Sequence, residues 1–380
     1  MTFSKPNRFL LVMMPIVAAL FLLAFLACSK KEKEPEVIKI GAILPLTGQL
    51  GYIGQEEKNA FDMALRDLDE KTRSKFRLIC TDSKGIPKEG VALFNKLVSI
   101  DDAKIIITSL SAVTNSILPI AVRNDIVLLA ITIQPNITDN KNNVFRIWPN
   151  SLDEWRLLLN YIKGSDLKNL GLYYSAGDFG LMAKEFFEKE LPKIGRTLVY
   201  AEMVKIGQAD VASLIVKHKY ENIDGALIIC YPGDARNIVR KMRENKIEVP
   251  ILSYLTFTYD FLRKSVAKEA EGTVFTCPSY SLHKSRNLRS REFAQEYLKL
   301  YKKEPNWNAA FSYDLMAFII KALEDYKGPL HKEALIEELE KLKHLEGVTG
   351  IIRIKPDHDS EVSLDMAVLR DGKMTPLSKE

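Results

Sequence analysis

The sequence predicts an α/β protein with two doubly wound, mostly parallel sheets. From residue 37 onward, short apolar runs rich in β-branched residues alternate with amphipathic stretches of helical period. Most of these runs are apolar on both faces, which is typical of parallel strands covered by helices on each side. Nine runs qualify as strands, more than one sheet of ordinary size holds, so we predict two sheets.

The predicted elements follow one another without a fixed repeat length. The predicted strands are 37–44, 76–81, 104–108, 126–131, 168–175, 197–204, 224–230, 249–254 and 272–277. The predicted helices are 52–70, 88–100, 151–163, 179–191, 235–245, 290–301, 307–327 and 331–342. Two short apolar runs follow residue 350, and Asp371-Gly372 after the second predicts a hairpin turn.

Composition and motifs exclude several classes of protein. The 380 residues are 47% hydrophobic and 27% charged, which argues against a disordered, collagen-like or polytopic membrane protein. The net charge of +5 is small and no basic block is present, so we expect no nucleic-acid partner. No CxxC or HExxH motif occurs, and we expect no metal and no cofactor. Cys230 and Cys277 both end predicted strands, and we expect buried free thiols rather than a disulfide.

The N-terminus has the pattern of an export signal. Lys5 and Arg8 precede an apolar run of 19 residues, 9–27, and Cys28 follows it. Residues 25–28, Phe-Leu-Ala-Cys, resemble the processing site of bacterial lipoproteins, in which the cysteine is acylated and becomes the new N-terminus. We therefore predict a signal peptide over 1–27, a lipidated Cys28 and a tether over 28–36. Because the run is long enough to span a bilayer, an uncleaved membrane anchor stays an alternative.

Ordered landmarks in the body of the chain point to a known family. The opening strand and glycine turn at 38–48 read IKIGAILPLTG, and a helix follows Gly-Tyr-Ile-Gly at 51–54. Four later landmarks come in order: TDS at 81–83, SAVT at 111–114, DFG at 178–180 and FSYD at 311–314. Together they resemble the leucine/isoleucine/valine-binding proteins, which are extracytoplasmic receptors of branched-chain amino-acid ABC transporters.

The resemblance implies the type I periplasmic binding protein fold, in which three crossing strands join two lobes and the ligand lies in the cleft. Lobe one would comprise 37–148 and 279–346, and lobe two 149–278 and 347–380. The resemblance also implies a monomer in the periplasm or at the cell surface, anchored to the membrane through Cys28. Such a receptor passes a small polar ligand, an amino acid or a related amide or carboxylate, to an ABC permease and its ATPase.

The candidate site residues lie where predicted strands end and helices begin, which is where open α/β sheets bind ligands. Ser111 opens a helix whose first amides suit a carboxylate. Thr132 and Gln134 follow the next strand. Four aromatic residues near other strand ends are candidates for apolar walls: Tyr52, Phe179, Tyr231 and Tyr254. We predict that these seven residues bind the ligand and that none is catalytic.

Two positions depart from the pattern of the family. Its amino-acid-binding members hold the ligand with a threonine two residues before a proline, where this chain has Ile133. They also pair the ligand ammonium with an acid after a strand of lobe two, where residues 253–256 read Ser-Tyr-Leu-Thr. Because a buried ammonium without an anion costs several kcal/mol, the ligand either lacks an ammonium or meets a substitute acid. The candidates for that acid are Asp178, Asp234 and Asp260.

Two other functions stay open from the sequence. The same fold serves in receptors, so a ligand-sensing lobe for a signalling partner is the alternative to transport. An extracytoplasmic enzyme is disfavoured, because the sequence has no G-x-S-x-G nucleophile elbow and no catalytic Cys–His motif.

Overall fold

The structure, a computed structural model, describes residues 37–220, 222–283 and 287–377. The predicted signal peptide and tether, with Cys28, lie outside these residues. The described part is an α/β fold with two large sheets of mainly parallel strands, as the alternating strand and helix patterns predict.

Three sheets are present in the described residues. The first is all parallel, in the order β2-β1-β3-β4-β5. Its strands are β1 Ile38–Leu44, β2 Phe76–Asp82, β3 Ile105–Ser109, β4 Val127–Ile131 and β5 Val144–Phe145. The second has the order β15-β14-β10-β9-β8-β6-β7. In it β14 runs antiparallel to both of its neighbours, β10 and β15, and all other neighbouring strands are parallel. Its strands are β6 Asn169–Ser175, β7 Thr197–Val204, β8 Gly225–Ile229, β9 Ile251–Ser253, β10 Val274–Pro278, β14 Leu364–Arg370 and β15 Lys373–Pro376. A small antiparallel sheet holds β11 His344–Gly347, β12 Gly350–Ile354 and β13 Ser360–Glu361.

Thirteen α-helices connect and cover these strands in the described residues. Those before β8 are α1 Gly51–Arg66, α2 Glu70–Arg73, α3 Pro87–Ser99, α4 Ser111–Arg123, α5 Ser151–Gly164, α6 Asp178–Glu190 and α7 Ala212–Tyr220. Those after it are α8 Pro232–Glu244, α9 Asp260–Ser265, α10 Ser279–His283, α11 Leu288–Tyr301, α12 Trp307–Leu323 and α13 Lys332–Lys341. Short 3-10 turns lie at Pro192–Ile194 and Leu255–Thr258.

The chain passes between the two large sheets three times. It leaves the first sheet after β5, leaves the second after β10 and returns to it at β14. We call β1–β5 with α1–α4 and α11–α13 lobe one, and β6–β10, β14 and β15 with α5–α10 lobe two. The central strands β3, β4 and β8 are buried along their whole length, because branched apolar side chains face helices on both sides. The residue limits predicted for the lobes stay a prediction.

A buried ion pair joins two of the three crossings. Arg146 Nε and Nη2 donate to the two carboxylate oxygens of Asp359, each at 2.6 Å. Beside them, the Trp148 amide donates to Ser360 Oγ at 3.0 Å. The hydrogen bonds and charge of Arg146 outweigh burial and lower the pKa of Asp359. A bidentate pair of this kind fixes the relative position of two backbone segments as well as neutralising both charges.

The differences from the predicted elements have simple physical reasons. The predicted helix over 52–70 is split into α1 and α2, with Asp69 capping the second by accepting the Thr72 amide. Strands β5, β11 and β13 have two to four residues, which is too few for a hydrophobic period to be recognised in the sequence. The predicted hairpin turn is confirmed, because Asp371 and Gly372 both have positive φ between β14 and β15.

Candidate functional site

A cavity of about 70 Å³ lies between the two lobes. Lobe one lines it mainly with Tyr52, Glu57, Ser109, Ser111, Thr132, Ile133 and Trp307. Lobe two lines it mainly with Phe179, Tyr231, Tyr254, Thr256 and Tyr259. The first-lobe residues end or follow β3 and β4, or lie in the first two turns of α1, α4 and α12, so the cavity lies at the carboxyl end of the sheet.

The loop from β3 to α4 shapes the lobe-one wall. Leu110 lies between them with φ of +72°, a conformation that few non-glycine residues adopt. Its amide donates to the carbonyl of Ile131 at 3.1 Å, which ties the ends of β3 and β4 together. The first backbone amides of an α-helix have no partner within the helix, and no side chain of the described residues caps those of α4. This arrangement presents a helix N-terminus and two hydroxyls to the cavity, and such ends favour anions.

The two hydroxyls are those of Ser111 and Thr132, whose oxygens are 2.8 Å apart. Both side chains are buried, and Thr132 Oγ1 also accepts the amide of Gln134 at 3.1 Å. Residues 132–134 lie beyond the end of β4 in irregular backbone. Strand alternation therefore does not apply to them, and Thr132 and Ile133 both line the cavity.

The structure brings six of the seven predicted site residues to this cavity. They are Tyr52, Ser111, Thr132, Phe179, Tyr231 and Tyr254. Gln134 is not among the lining residues. Its carbonyl accepts a hydrogen bond from Arg146 Nη1, so the chain has already turned toward the crossing segments there. Whether any of the seven binds a ligand stays a prediction.

None of the three acids predicted as ammonium partners lines the cavity. Asp178 accepts from Asn115 Nδ2 at 2.6 Å on the exposed surface. Asp234 accepts the amide of Gly207, and burial raises its pKa to about 6. Asp260 pairs with Lys264 at 2.7 Å and with Arg263. Each of these carboxylates already has a partner away from the cavity.

Sequence reasoning missed the acid that does line the cavity, Glu57. Its side chain is fully buried on α1, and Ser109 Oγ donates to its Oε1 at 2.9 Å. Burial raises the pKa of Glu57 well above its usual range, with only partial compensation from the Ser109 hydrogen bond. A signal was present in the sequence: Glu57 lies four residues after Ile53 and four before Phe61, on the apolar face of the helix.

Three buried polar atoms in the lobe-one wall have no hydrogen-bond partner in the part of the chain that the structure describes. They are Tyr52 Oη, Glu57 Oε2 and Trp307 Nε1. Buried polar atoms in native proteins are nearly always hydrogen-bonded, so a cluster of exceptions requires an explanation. In lobe two, by contrast, Tyr254 Oη and Thr256 Oγ1 both donate to the carbonyl of Cys230, at 3.4 and 2.7 Å.

Aromatic contacts close the cavity between the lobes. The Tyr52 ring centroid lies 5.6 Å from that of Tyr259 and 5.4 Å from that of Phe261, both edge to face. In the lobe-two wall, Phe179 lies 5.3 Å from Tyr254. Such pairs bury large apolar areas and favour these tilted geometries. The structure is therefore a closed state in which aromatic side chains shield the polar wall from water.

The described residues hold no cluster of His, Cys, Asp and Glu suited to a metal ion. Cys80, Cys230 and Cys277 are free thiols, and the last two are buried, as predicted. Among the helices that the structure describes, none has the length and hydropathy of a membrane span.

The sequence matches the periplasmic binding protein family over residues 37–373. The chain belongs to this family. Leu/Ile/Val-binding protein homolog 3 of Brucella melitensis is 22% identical over 355 residues, covering 90% of this chain and 93% of that protein. Leu/Ile/Val-binding protein BraC3 of Rhizobium johnstonii is 24% identical over 246 residues, covering 63% and 67%. The resemblance to leucine/isoleucine/valine-binding proteins is thereby confirmed, and membership of this family implies an extracytoplasmic protein.

Solved structures of other binding proteins share the fold. The leucine-binding protein LivK of Thermotoga maritima has a TM-score of 0.79 at 21% identity, covering 90% of this chain and 98% of that one. LivJ of Streptococcus pneumoniae, solved with isoleucine, has a TM-score of 0.79 at 22% identity, covering 89% and 98%. A solute-binding protein of Rhodopseudomonas palustris, solved with 3,4-dihydroxybenzoic acid, has a TM-score of 0.79 at 19% identity, covering 90% and 96%. These matches confirm the type I periplasmic binding protein fold.

Proposed function

We propose that this protein is an extracytoplasmic solute receptor that closes its two lobes on a small amino acid or related ligand and delivers it to an ABC permease. The cavity carries the proposal: it joins a polar wall with unpartnered buried atoms to an aromatic wall. Small-ligand sites have this composition, apolar with a few placed polar groups. The mechanism is hinge closure, in which binding shifts an open–closed equilibrium, and no covalent step is needed.

The polar end of the ligand would lie against lobe one. In this proposal Ser111 Oγ and the first amides of α4 hold a carboxylate, and Thr132 keeps the serine hydroxyl in place through their 2.8 Å hydrogen bond. Tyr52, Phe179, Tyr231 and Tyr254 enclose the apolar part of the ligand. Relatives with this fold have been solved with isoleucine and with an aromatic acid, so both kinds of ligand belong in the test.

Membrane attachment is a further part of the proposal. The pattern ending in Cys28 supports a lipoprotein anchored outside the cytoplasm. That the protein acts as a monomer is proposed only from its resemblance to transport receptors. Mass spectrometry of the N-terminal peptide measures whether Cys28 is the mature N-terminus and carries acyl chains. An unprocessed N-terminus would instead support the uncleaved anchor.

Thermal unfolding of the purified full chain against a ligand panel tests the function. The panel holds leucine, isoleucine, valine, phenylalanine, benzoate, 3,4-dihydroxybenzoate and acetamide. A ligand at about 100 times its Kd adds about 2.7 kcal/mol to the free energy of unfolding. For a protein of this size the midpoint then rises by roughly 2 °C or more. No shift with any member, together with no small molecule co-purifying by mass spectrometry, would contradict a receptor function.

The variant Ser111→Ala localises the binding to this cavity. Losing a hydroxyl that donates to a charged ligand group costs about 1.5–3 kcal/mol, so we expect at least roughly tenfold weaker binding by calorimetry. Ser116→Ala is the matched control, because Ser116 lies on the same helix and donates to the carbonyl of Val113 instead. Equal affinities in the two variants would place the carboxylate elsewhere.

A further inference from the structure

We infer that the ligand carries a primary ammonium group and that the Glu57 carboxylate is the partner of that group. The inference rests on the proposed receptor function and names the ligand chemistry of its site. Residues 253–256 of lobe two contain no acid that could pair with a ligand ammonium. The inference places that ionic contact on α1 of lobe one instead.

Only one of the two carboxyl oxygens of Glu57 has a hydrogen-bond partner among the described residues. Its side chain has no solvent exposure, and Ser109 occupies Oε1 at 2.9 Å. Oε2 has no partner among the described residues, although the residue lines the cavity. A protonated carboxyl leaves its O–H without an acceptor, and an ionised one leaves a lone oxygen without a donor. In either state, the group is completed only by an atom that enters the cavity.

The charges of the cavity wall indicate which kind of ligand atom contacts Glu57 Oε2. Glu57 is the one carboxyl among the lining residues that the structure describes, and none of them is Lys, Arg or His. A ligand with a carboxylate alone therefore meets an acid and no cation. A zwitterion meets complementary groups at both ends: its carboxylate at Ser111 and α4, and its ammonium at Glu57.

The surroundings strengthen this contact. Tyr52, Tyr259 and Trp307 line the same cavity. The ring centroid of Tyr259 lies 5.6 Å from that of Tyr52 and 6.3 Å from that of Trp307. Aromatic faces attract cations, and exclusion of water raises the strength of an ion pair.

The alternative occupant of this position is a neutral or anionic ligand atom that accepts a hydrogen bond from the O–H of a protonated Glu57. An amide, or an aromatic acid without an amine, is such a ligand. The two possibilities differ in what happens when the ammonium is removed from an otherwise identical molecule. They also differ in what happens when the acid becomes a carboxamide, which accepts a hydrogen bond but carries no charge.

The experiment combines matched ligands with matched variants of the full chain. The ligands are leucine, 4-methylpentanoate, which lacks the ammonium, and isopentylamine, which lacks the carboxylate, with the corresponding phenylalanine set. The variants are Glu57→Gln and Glu154→Gln. Glu154 is an informative control. It is also fully buried, and one of its oxygens has no partner within the described ranges, but it does not line the cavity.

We expect the wild-type protein to bind one of the amino acids at least about 100-fold more tightly than its counterpart without the ammonium, because removing one partner of a buried ion pair leaves the other charge uncompensated. Glu57→Gln should weaken that amino acid by at least about 100-fold and leave its counterpart nearly unchanged. Glu154→Gln should bind all ligands like the wild-type protein. If Glu57→Gln does not fold, the ligand series on the wild-type protein still tests the ammonium. Glu57→Asp, which keeps the charge but shortens its reach, then tests the acid: weaker binding of the amino acid alone is expected, and unchanged affinity would overturn the assignment.

Two results would overturn the inference while leaving the receptor function intact. One is binding of 4-methylpentanoate, 3-phenylpropanoate or a benzoate as tight as that of the amino acids. The other is an unchanged amino-acid affinity in a folded Glu57→Gln. If no panel member and no co-purified molecule binds the wild-type protein, the receptor function fails and the inference fails with it.

Discussion

Lobe one and lobe two present different chemistry to the cavity that they share. Lobe one contributes hydroxyls, helix amides, the Glu57 carboxyl and three buried polar atoms without partners. Lobe two contributes aromatic rings, and the hydroxyl of Tyr254 is bonded within its own lobe. The difference indicates a division of labour: lobe one recognises the polar groups of the ligand, and lobe two covers its apolar part on closure.

The largest expected effect tests whether lobe two supplies packing rather than recognition. Phe179 is buried, with its ring centroid 5.3 Å from that of Tyr254 and 5.8 Å from that of Trp155. Phe179→Ala should lower the free energy of unfolding by about 3–5 kcal/mol, because it removes a buried ring and leaves a cavity. Urea denaturation measures this loss, and calorimetry measures the accompanying change in ligand affinity.

The control for this variant is Phe186→Ala on the same helix. Phe186 contacts Trp155 at 5.4 Å but does not line the cavity, so only stability should change. An intact stability with complete loss of binding in Phe179→Ala would show that lobe two recognises the ligand, and the comparison of the lobes would break.

The next effect separates the buried acids of the two lobes by pH. Burial raises the pKa of Glu154 in lobe two to about 8, despite hydrogen bonds from Thr276 and the Leu255 amide. An unfolded glutamate titrates near about 4.3. Between these values the native state binds one proton more than the unfolded state, so the free energy of unfolding falls by about 1.4 kcal/mol per pH unit. Glu154→Gln should remove this share of the slope.

Urea titrations from about pH 5 to pH 8 measure that slope in the wild-type protein and in both glutamine variants. Glu57 contributes in the same direction in the ligand-free protein, because burial also raises its pKa. A saturating amino acid should abolish the Glu57 share and leave the Glu154 share, since only Glu57 faces the cavity. Equal slopes in the wild-type protein and in Glu154→Gln would mean that Glu154 is ionised in both the native and the unfolded state over this pH range.

Sequence reasoning predicted the parts of the fold that rest on long patterns. The central strands were recognisable because short, almost wholly apolar runs lie between turn signals, as in β4 and β8. The two residues of β5 carry no pattern, and its pairing with β4 depends on tertiary contacts. Boundaries such as the break between α1 and α2 depend on a local cap at Asp69, which competes with the continuing helical pattern.

The site was predictable only where its residues follow strands. Ser111, Thr132, Phe179 and Tyr231 lie just beyond strand ends, and the rule for open sheets places them at one edge. Glu57 and Trp307 reach the cavity from α1 and α12, whose docking depends on contacts between residues about 250 positions apart, such as Asn308 with the carbonyl of Ile53. No local pattern encodes such a contact.

The smallest expected effect concerns an exposed polar contact between the lobes. Asn115 Nδ2 of lobe one donates to Asp178 Oδ2 of lobe two at 2.6 Å, on the exposed surface. Because exposed polar contacts contribute little, Asn115→Ala should destabilise the closed state by only about 0.5–1 kcal/mol. Ligand release should then be roughly two- to fivefold faster by stopped-flow fluorescence, with the free energy of unfolding nearly unchanged.

Asn124→Ala is the matched control, because Asn124 ends the same helix and donates to the carbonyl of Ile120 within lobe one. Faster release in Asn115→Ala alone would show that this contact helps to hold the lobes closed. Equal release rates in both variants would leave closure to the contacts of Tyr52 with Tyr259 and Phe261. In that case the aromatic residues of lobe two would hold the lobes closed as well as cover the ligand, and recognition by lobe one would still be independent of them.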